Sequence, residues 1–206
     1  VITRLETLHS RMERCTVCPE MIRPVVHPAA IDTRVLLVGQ APGPREGSFG
    51  RPFAWTAGRT LFKWFASATG ADEDRVRAGV YFAAVARCFP GKAKGGGDRK
   101  PSPLEIANCK VYLEEETAIL RPDLVIPVGG LAIAEVLDFR GKLVYIIGQT
   151  KTTEYFGRPV DVIALPHPSG ASTWHRTEPG IGLLAKALDL LAAHPALRAA
   201  LETTAA

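Results

Sequence analysis

The chain predicts an α/β fold, a three-layer α/β/α sandwich with a mainly parallel central sheet. Three observations carry that expectation: short, wholly apolar runs, helix-length segments between them, and glycine- or proline-bearing loops after the runs. Runs without polar alternation suit strands covered on both faces, as parallel strands are. With 206 residues, 47% of them hydrophobic, the sequence is expected to bury one core as a single domain over residues 1–206.

Thr3 to Arg14 reads as a short amphipathic helix, with Leu5, Leu8 and Met12 on one face, running into a loop at Cys15. Arg34 to Gly39 (Arg-Val-Leu-Leu-Val-Gly) reads as a buried strand ending in glycine. A helix is expected over Gly58 to Thr69 and a second strand over Val80 to Val85. Pro103 to Leu120 is the longest helix. Ser102 stands as its N-cap, Pro103 at its first position and Glu105 in its first turn. Leu124 to Val128 is the third strand, with Pro127 counting against it because proline donates nothing to a sheet ladder. A helix over Leu131 to Leu137 follows, then a hairpin or loop over Lys151 to Arg158. A strand over Val160 to Leu165 and a helix over Gly180 to Ala193 complete the set.

The formal net charge of +4 permits a polyanionic partner without requiring one. No apolar run approaches the ~20 residues of a membrane span. The first residues, Val1 to Glu6, lack the charged head and apolar core of a secretory signal. A soluble, monomeric protein of the reducing cytoplasm, with no membrane contact, is the expectation.

Four cysteines stand as Cys15-x-x-Cys18, Cys88 and Cys109. A Cys-x-x-Cys pair has the reach for two thiolates to share one metal centre, and two more sulfurs complete a four-thiolate set. Soft ligands from distant segments suit an iron–sulfur cluster or a structural zinc. One disulfide, or scattered core thiols, is the plainer alternative.

In parallel sheets ligands bind beyond the carboxyl ends of the strands. That rule selects Gln40 to Phe53, Arg87 to Lys100, Gly129-Gly130 and Pro166 to Arg176. In the first loop, glycines let backbone amides approach a ligand, while Pro42 and Pro52 fix the path. Gln40 brings a donor and an acceptor to a strand end, and Phe53 a stacking face, unless it is simply core. In the last loop, Pro166 and Pro168 hold His167 rigidly, suited to stabilising a developing anion. Ser169 and Ser172 suit phosphate oxygens, and Trp174 and Arg176 suit a base to stack or wedge against. Between Cys88 and Cys109 lies a biased stretch, Gly91 to Lys100, expected to be a mobile loop. Arg87, Lys92, Lys94, Arg99 and Lys100 set five positive charges against Asp98 alone, which matches a phosphate backbone or a solvated surface loop. A metal gripping both ends would fix this loop as a platform.

Taken together these residues resemble the uracil-DNA glycosylase superfamily, nearest its bacterial and archaeal iron–sulfur branch, family 4. The resemblance covers nearly the whole chain. It runs through the early Cys-x-x-Cys, Gly39-Gln40-Ala41-Pro42-Gly43, Gly50-Arg51-Pro52-Phe53 with Ala57-Gly58, Arg87-Cys88, the fourth cysteine, and His167-Pro168-Ser169. It implies a structural [4Fe-4S] cluster on Cys15, Cys18, Cys88 and Cys109, and an enzyme of base excision repair that flips a deaminated base, uracil first, out of DNA. It implies that Gln40 positions the water, His167 stabilises the departing base, and Phe53 stacks under it. Gly39, Ala41, Pro42 and Gly43 would border the pocket, and Ser169 and its successors would compress the DNA backbone. A cytoplasmic, nucleoid-associated setting in a bacterium or archaeon goes with the branch.

Two departures from the family pattern stand out. Gln40 replaces an acidic residue, and an amide orients water without taking its proton. Ala84 stands where the family's asparagine reads the uracil edge, which relaxes base specificity. A related branch crosslinks covalently through a histidine after the third cysteine. None lies between Cys88 and Cys109, so that reaction is not expected. The alternatives are a non-catalytic damaged-DNA binding module with a structural metal cluster, or a metal-stabilised nucleotide-binding protein.

Overall fold

The computed structural model describes residues 1–203. Its sheet has five strands: β1 (Val35–Gly39), β2 (Tyr81–Ala84), β3 (Leu124–Pro127), β4 (Thr150–Tyr155) and β5 (Arg158–Ile163). They lie in the order β2-β1-β3-β5-β4, and only β4 runs antiparallel to its neighbour. Every residue of β1, β2 and β3 is buried, as their unbroken apolar runs require.

Side chains alternate across the sheet, so each strand feeds two cores. Val35 and Leu37 meet α3 (Thr56–Thr69), α4 (Glu73–Gly79), α7 (Gly180–Ala193) and α8 (Pro195–Thr203) through Phe65, Val76, Leu191 and Leu197. On the opposite face Leu36 and Val38 meet α1 (Ile2–Glu13), α5 (Pro103–Leu120) and α6 (Gly130–Leu137) through Leu8, Leu113 and Val136. The α/β/α layering follows directly.

Pro127 does end β3 rather than exclude it. Its carbonyl accepts from Leu165 N at 2.9 Å, and the missing N–H falls at the strand's last residue, where one ladder bond is lost without breaking the pairing to β1. The predicted cap of α5 is a full capping box: Ser102 accepts from Glu105 N while Glu105 returns to Ser102 N. Lys151 to Arg158 forms the hairpin between β4 and β5, turning on Phe156 (φ 47°) and Gly157 (φ 74°), the left-handed pair a two-residue turn needs. Three short helices carried too weak a periodicity to be foreseen: α2 (Glu46–Phe49), α4 and α8.

Candidate functional site

The carboxyl ends of β1, β2, β3 and β5 open on one rim. Val38 pairs with Pro127, so Gly39 stands level with Val128, and Gly129 lies one residue further on the neighbouring strand. Adjacent strands are about 4.8 Å apart. Phe53 and His167 are seated on these two tips. A Cβ on Gly39 would lie 3.0 Å from the Phe53 ring, and one on Gly129 (φ +87°) would lie 2.9 Å from His167 Cδ2. The absence of side chains at both glycines is what admits the two rings to the sheet end.

Phe53 holds a left-handed backbone (φ 53°), a costly conformation for a bulky residue. Its surroundings impose it. Arg77 of α4 donates to Pro52 O and Phe53 O, both at 3.0 Å, while its guanidinium lies over the rings of Phe62 and Phe82 at 4.5 and 5.4 Å. Gly58 makes the close approach possible, since a Cβ there would sit 1.7 Å from Phe53 O. From the other side the buried Glu46 carboxylate accepts from Gly43 N at 2.7 Å and Ala54 N at 3.1 Å. Burial pushes its pKa up, and those backbone donors oppose the shift. Neither Glu46 nor Arg77 stood out in the sequence, because each acts on backbone atoms remote along the chain.

His167 is half-buried between Pro166 and Pro168. Ser169 N donates to its Nδ1 at 3.2 Å, so the neutral ring carries its proton on Nε2. Desolvation holds its pKa below the ordinary histidine range and nearby His175 adds to the effect, with Asp98 opposing. The ring is thus a neutral N–H donor fixed at the rim. Gln40 follows Gly39 and is half-buried, its carbonyl held by Ala86 N at 3.0 Å. Ala84 pairs with Gly39 across β1 and β2 and offers the rim a methyl group only.

The four thiols, distant in sequence, line one cavity of about 170 Å³ beside the sheet. Cys15 and Cys18 come from the loop after α1, Cys88 from beyond β2, and Cys109 from α5. Burial pushes the Cys88 thiol up to about 11, with Cys109 adding to the effect. Asn108 Nδ2 donates toward Cys18 Sγ at 3.4 Å. Among the described residues, no three His, Cys, Asp or Glu side chains converge tightly enough for a single ion.

Arg87 corrects an expectation. The sequence suggests a phosphate contact there, yet the Arg87 side chain is 1% exposed, lines the cysteine cavity and pairs with the buried Glu116. Its Nε and Nη1 are buried with no hydrogen-bond partner. Arg99 is likewise engaged inward, its guanidinium held by both Glu105 oxygens at 2.7 and 2.8 Å and by Pro90 O. That contact draws the Glu105 pKa down to about 2. Lys92 pairs with Asp98 at 2.6 Å, and Lys94 and Lys100 are exposed.

The stretch expected to be a mobile loop forms a small hairpin: Lys92 bridges to Asp98, and Arg99 N donates to Gly91 O at 2.9 Å. Its base is stitched to the Cys-x-x-Cys segment through Ile22 and Phe89. Trp174 is half-buried against the core, not a free wedge, and Arg176 is exposed. Ser172 N closes a turn on Ser169 O at 3.1 Å.

A family model described as the uracil DNA glycosylase superfamily matches residues 27–191. The type-4 uracil-DNA glycosylase of Thermotoga maritima is 32% identical over 174 residues, covering 80% of this chain and 81% of its own. That of Pyrobaculum aerophilum is 30% identical over 173 residues, covering 80% and 83%. A type-5 uracil-DNA glycosylase of the same organism is 28% identical over 190 residues, covering 78% and 80%.

Proposed function

This chain belongs to the uracil DNA glycosylase superfamily, and from that premise we propose that it is a uracil-DNA glycosylase of DNA repair whose pocket is the rim between Phe53 and His167. The observation that carries the assignment is the neutral imidazole, locked by Ser169 N with Nε2–H free to donate. In this reading the base is extruded from the strand into the pocket and lies on Phe53. The bond from sugar to base breaks with its electron pair moving to the base, leaving an oxocarbenium-like sugar. His167 Nε2–H donates to the oxygen on which that charge grows. Gln40 orients the water that adds to the sugar. It takes no proton, so leaving-group stabilisation carries most of the acceleration. The proton lost by the adding water passes through solvent to the departed base anion, so the products are the neutral free base and an abasic site. With Ala84 supplying no edge contact, other deaminated bases enter the same pocket.

The cysteine cavity fits a [4Fe-4S] cluster held by Cys15, Cys18, Cys88 and Cys109. Four soft donors from three segments line one cavity of about 170 Å³. The two orphaned nitrogens of Arg87 supply buried positive charge and donors to the sulfurs of an anionic cluster. The cluster's part is structural: it ties the N-terminal segment, β2's exit and α5 together, and so fixes the cationic hairpin against DNA. Lys94, Lys100 and Arg176 remain the exposed phosphate contacts, with Lys92 shared with Asp98. The chain works in this reading as a single-domain monomer in the cytoplasm.

The test is release of uracil from single- and double-stranded oligonucleotides, scored as abasic sites, on protein whose visible absorption shows the cluster bound. Release is the expected result, falling ~10²- to 10³-fold in His167→Ala with the thermal midpoint unchanged. Binding of uracil-containing DNA without release of uracil, hypoxanthine or xanthine would sink the catalytic assignment and leave a damage-binding module.

A further inference from the structure

Beside the pocket lies an aromatic surface that the catalytic reading leaves unused. Phe49, ending α2, is 49% exposed, and Trp55, the N-cap residue of α3, is 42% exposed. Their rings stack at 5.8 Å with an interplanar angle of 25°. The guanidinium groups of Arg45 and Arg59 lie 5.4 and 5.7 Å from the Trp55 ring centre. Among the described residues neither arginine is paired with a carboxylate. Two stacked, half-exposed rings with two unneutralised cations over one of them combine aromatic area and positive charge that suit a flat, anionic ligand.

We propose that the Phe49–Trp55 pair, with Arg45 and Arg59, is a stacking subsite for an unpaired base adjoining the excised nucleotide, so that this protein grips single-stranded DNA in preference to duplex. The inference rests on the assignment of the rim as the base pocket. Trp55 follows Phe53 by two residues, at most about 7 Å of chain, a reach matched to a neighbouring nucleotide. The platform is rigidly tied to that pocket. Glu46 lies within α2 and bonds Ala54 N, next to Trp55, while Arg77 holds the carbonyl of Phe53. A base inside a duplex offers its edges to a protein and keeps its faces in the stack. An unpaired base offers a face to an aromatic ring and its phosphates to the arginines. The two arginines supply the charge that a purely apolar docking patch would lack.

The experiment compares wild type, Trp55→Ala, Phe49→Ala with Trp55→Ala, and Trp55→Phe. Each is titrated by fluorescence anisotropy, at one fixed salt concentration, with a uracil-free single-stranded oligonucleotide and with the same strand annealed to its complement. Stacking of one base predicts ~10-fold weaker single-strand binding in the alanine variants, little change on duplex, and recovery in Trp55→Phe. Equal losses on both probes, or no loss, overturn the subsite. So does a change in oligomeric state with DNA affinity unaltered, which would assign the aromatics to a second copy of the chain. His167→Ala separates the two readings. If it retains the single-strand preference, and wild type releases no base, the catalytic assignment fails and the subsite stands. If wild type releases uracil and the aromatic variants bind single strands normally, the reverse holds.

Discussion

In the proposed pocket, Ala84 presents only a methyl group beside Gly39. Ala84 is level with Gly39 and buried, so on the proposed reading its side chain borders the edge of the extruded base. Ala84→Asn restores a donor and acceptor there, and one good hydrogen bond in a desolvated pocket is worth about 10-fold. We expect uracil kcat/KM to rise by about that factor, with no matching gain for hypoxanthine, measured by release from competing oligonucleotides. A uniform rise for both bases, or none, would remove Ala84 from the specificity argument. The residue scale was the most legible from sequence, because His167 between two prolines and Gly39-Gln40-Ala41-Pro42-Gly43 are local patterns. Ser169 was also marked, for its hydroxyl, and the structure adds a second use: its backbone N–H fixes the imidazole tautomer. Arg87 was misread for a physical reason: adjacency to a charged loop says nothing about which way a strand's next side chain points.

The elements are positioned by contacts that sequence spacing conceals. The four parallel strands and the helices α3, α5, α6 and α7 announced themselves as apolar runs and periodic stretches. The loop that presents Phe53 was only half visible, since the residues that set it, Glu46 and Arg77, lie in the short helices α2 and α4. Arg77→Met keeps the stem against Phe62 and Phe82 but withdraws donors from two carbonyls. At about 1–3 kcal/mol for a buried unpaired group, the variant is expected to lose about 2 kcal/mol of stability. It should also raise KM for uracil-containing DNA as the strained Phe53 backbone relaxes. Thermal melts together with steady-state kinetics check this. An unchanged KM would mean that the loop is set by Gly58 and Glu46 alone.

Across the whole molecule, a buried polar chain links the helical layer to the cysteine cavity. His9 of α1 bonds the Tyr81 hydroxyl at 2.7 Å, Tyr81 donates to Glu116 at 2.8 Å, and Glu116 pairs with Arg87. Burial holds the His9 pKa at about 4, and His27 stacked at 4.1 Å adds repulsion. In the unfolded chain the same imidazole titrates near 6.5. As pH falls, the unfolded state therefore takes up the proton first. The stability at stake is fully present above about pH 6.5 and drains as pH falls toward about 4. Burial of His167 and His175 acts in the same direction. Denaturant titrations across that window should show a loss of about 1–3 kcal/mol. His9→Gln, which keeps a donor for Tyr81, should flatten the slope, and an unaltered slope would assign the effect to other groups. No periodicity could have exposed this chain of contacts, because its members come from four separate segments.

At the outer border of the sheet, β4 reads Thr150-Lys151-Thr152-Thr153-Glu154-Tyr155, and all but its last residue meet water to some degree. A strand left unpaired along one side is an invitation for another chain to dock there, backbone to backbone. Hydroxyls and charges of both signs along that margin make such docking unrewarding. That margin of the sheet is thus guarded against strand-to-strand association between copies of the chain.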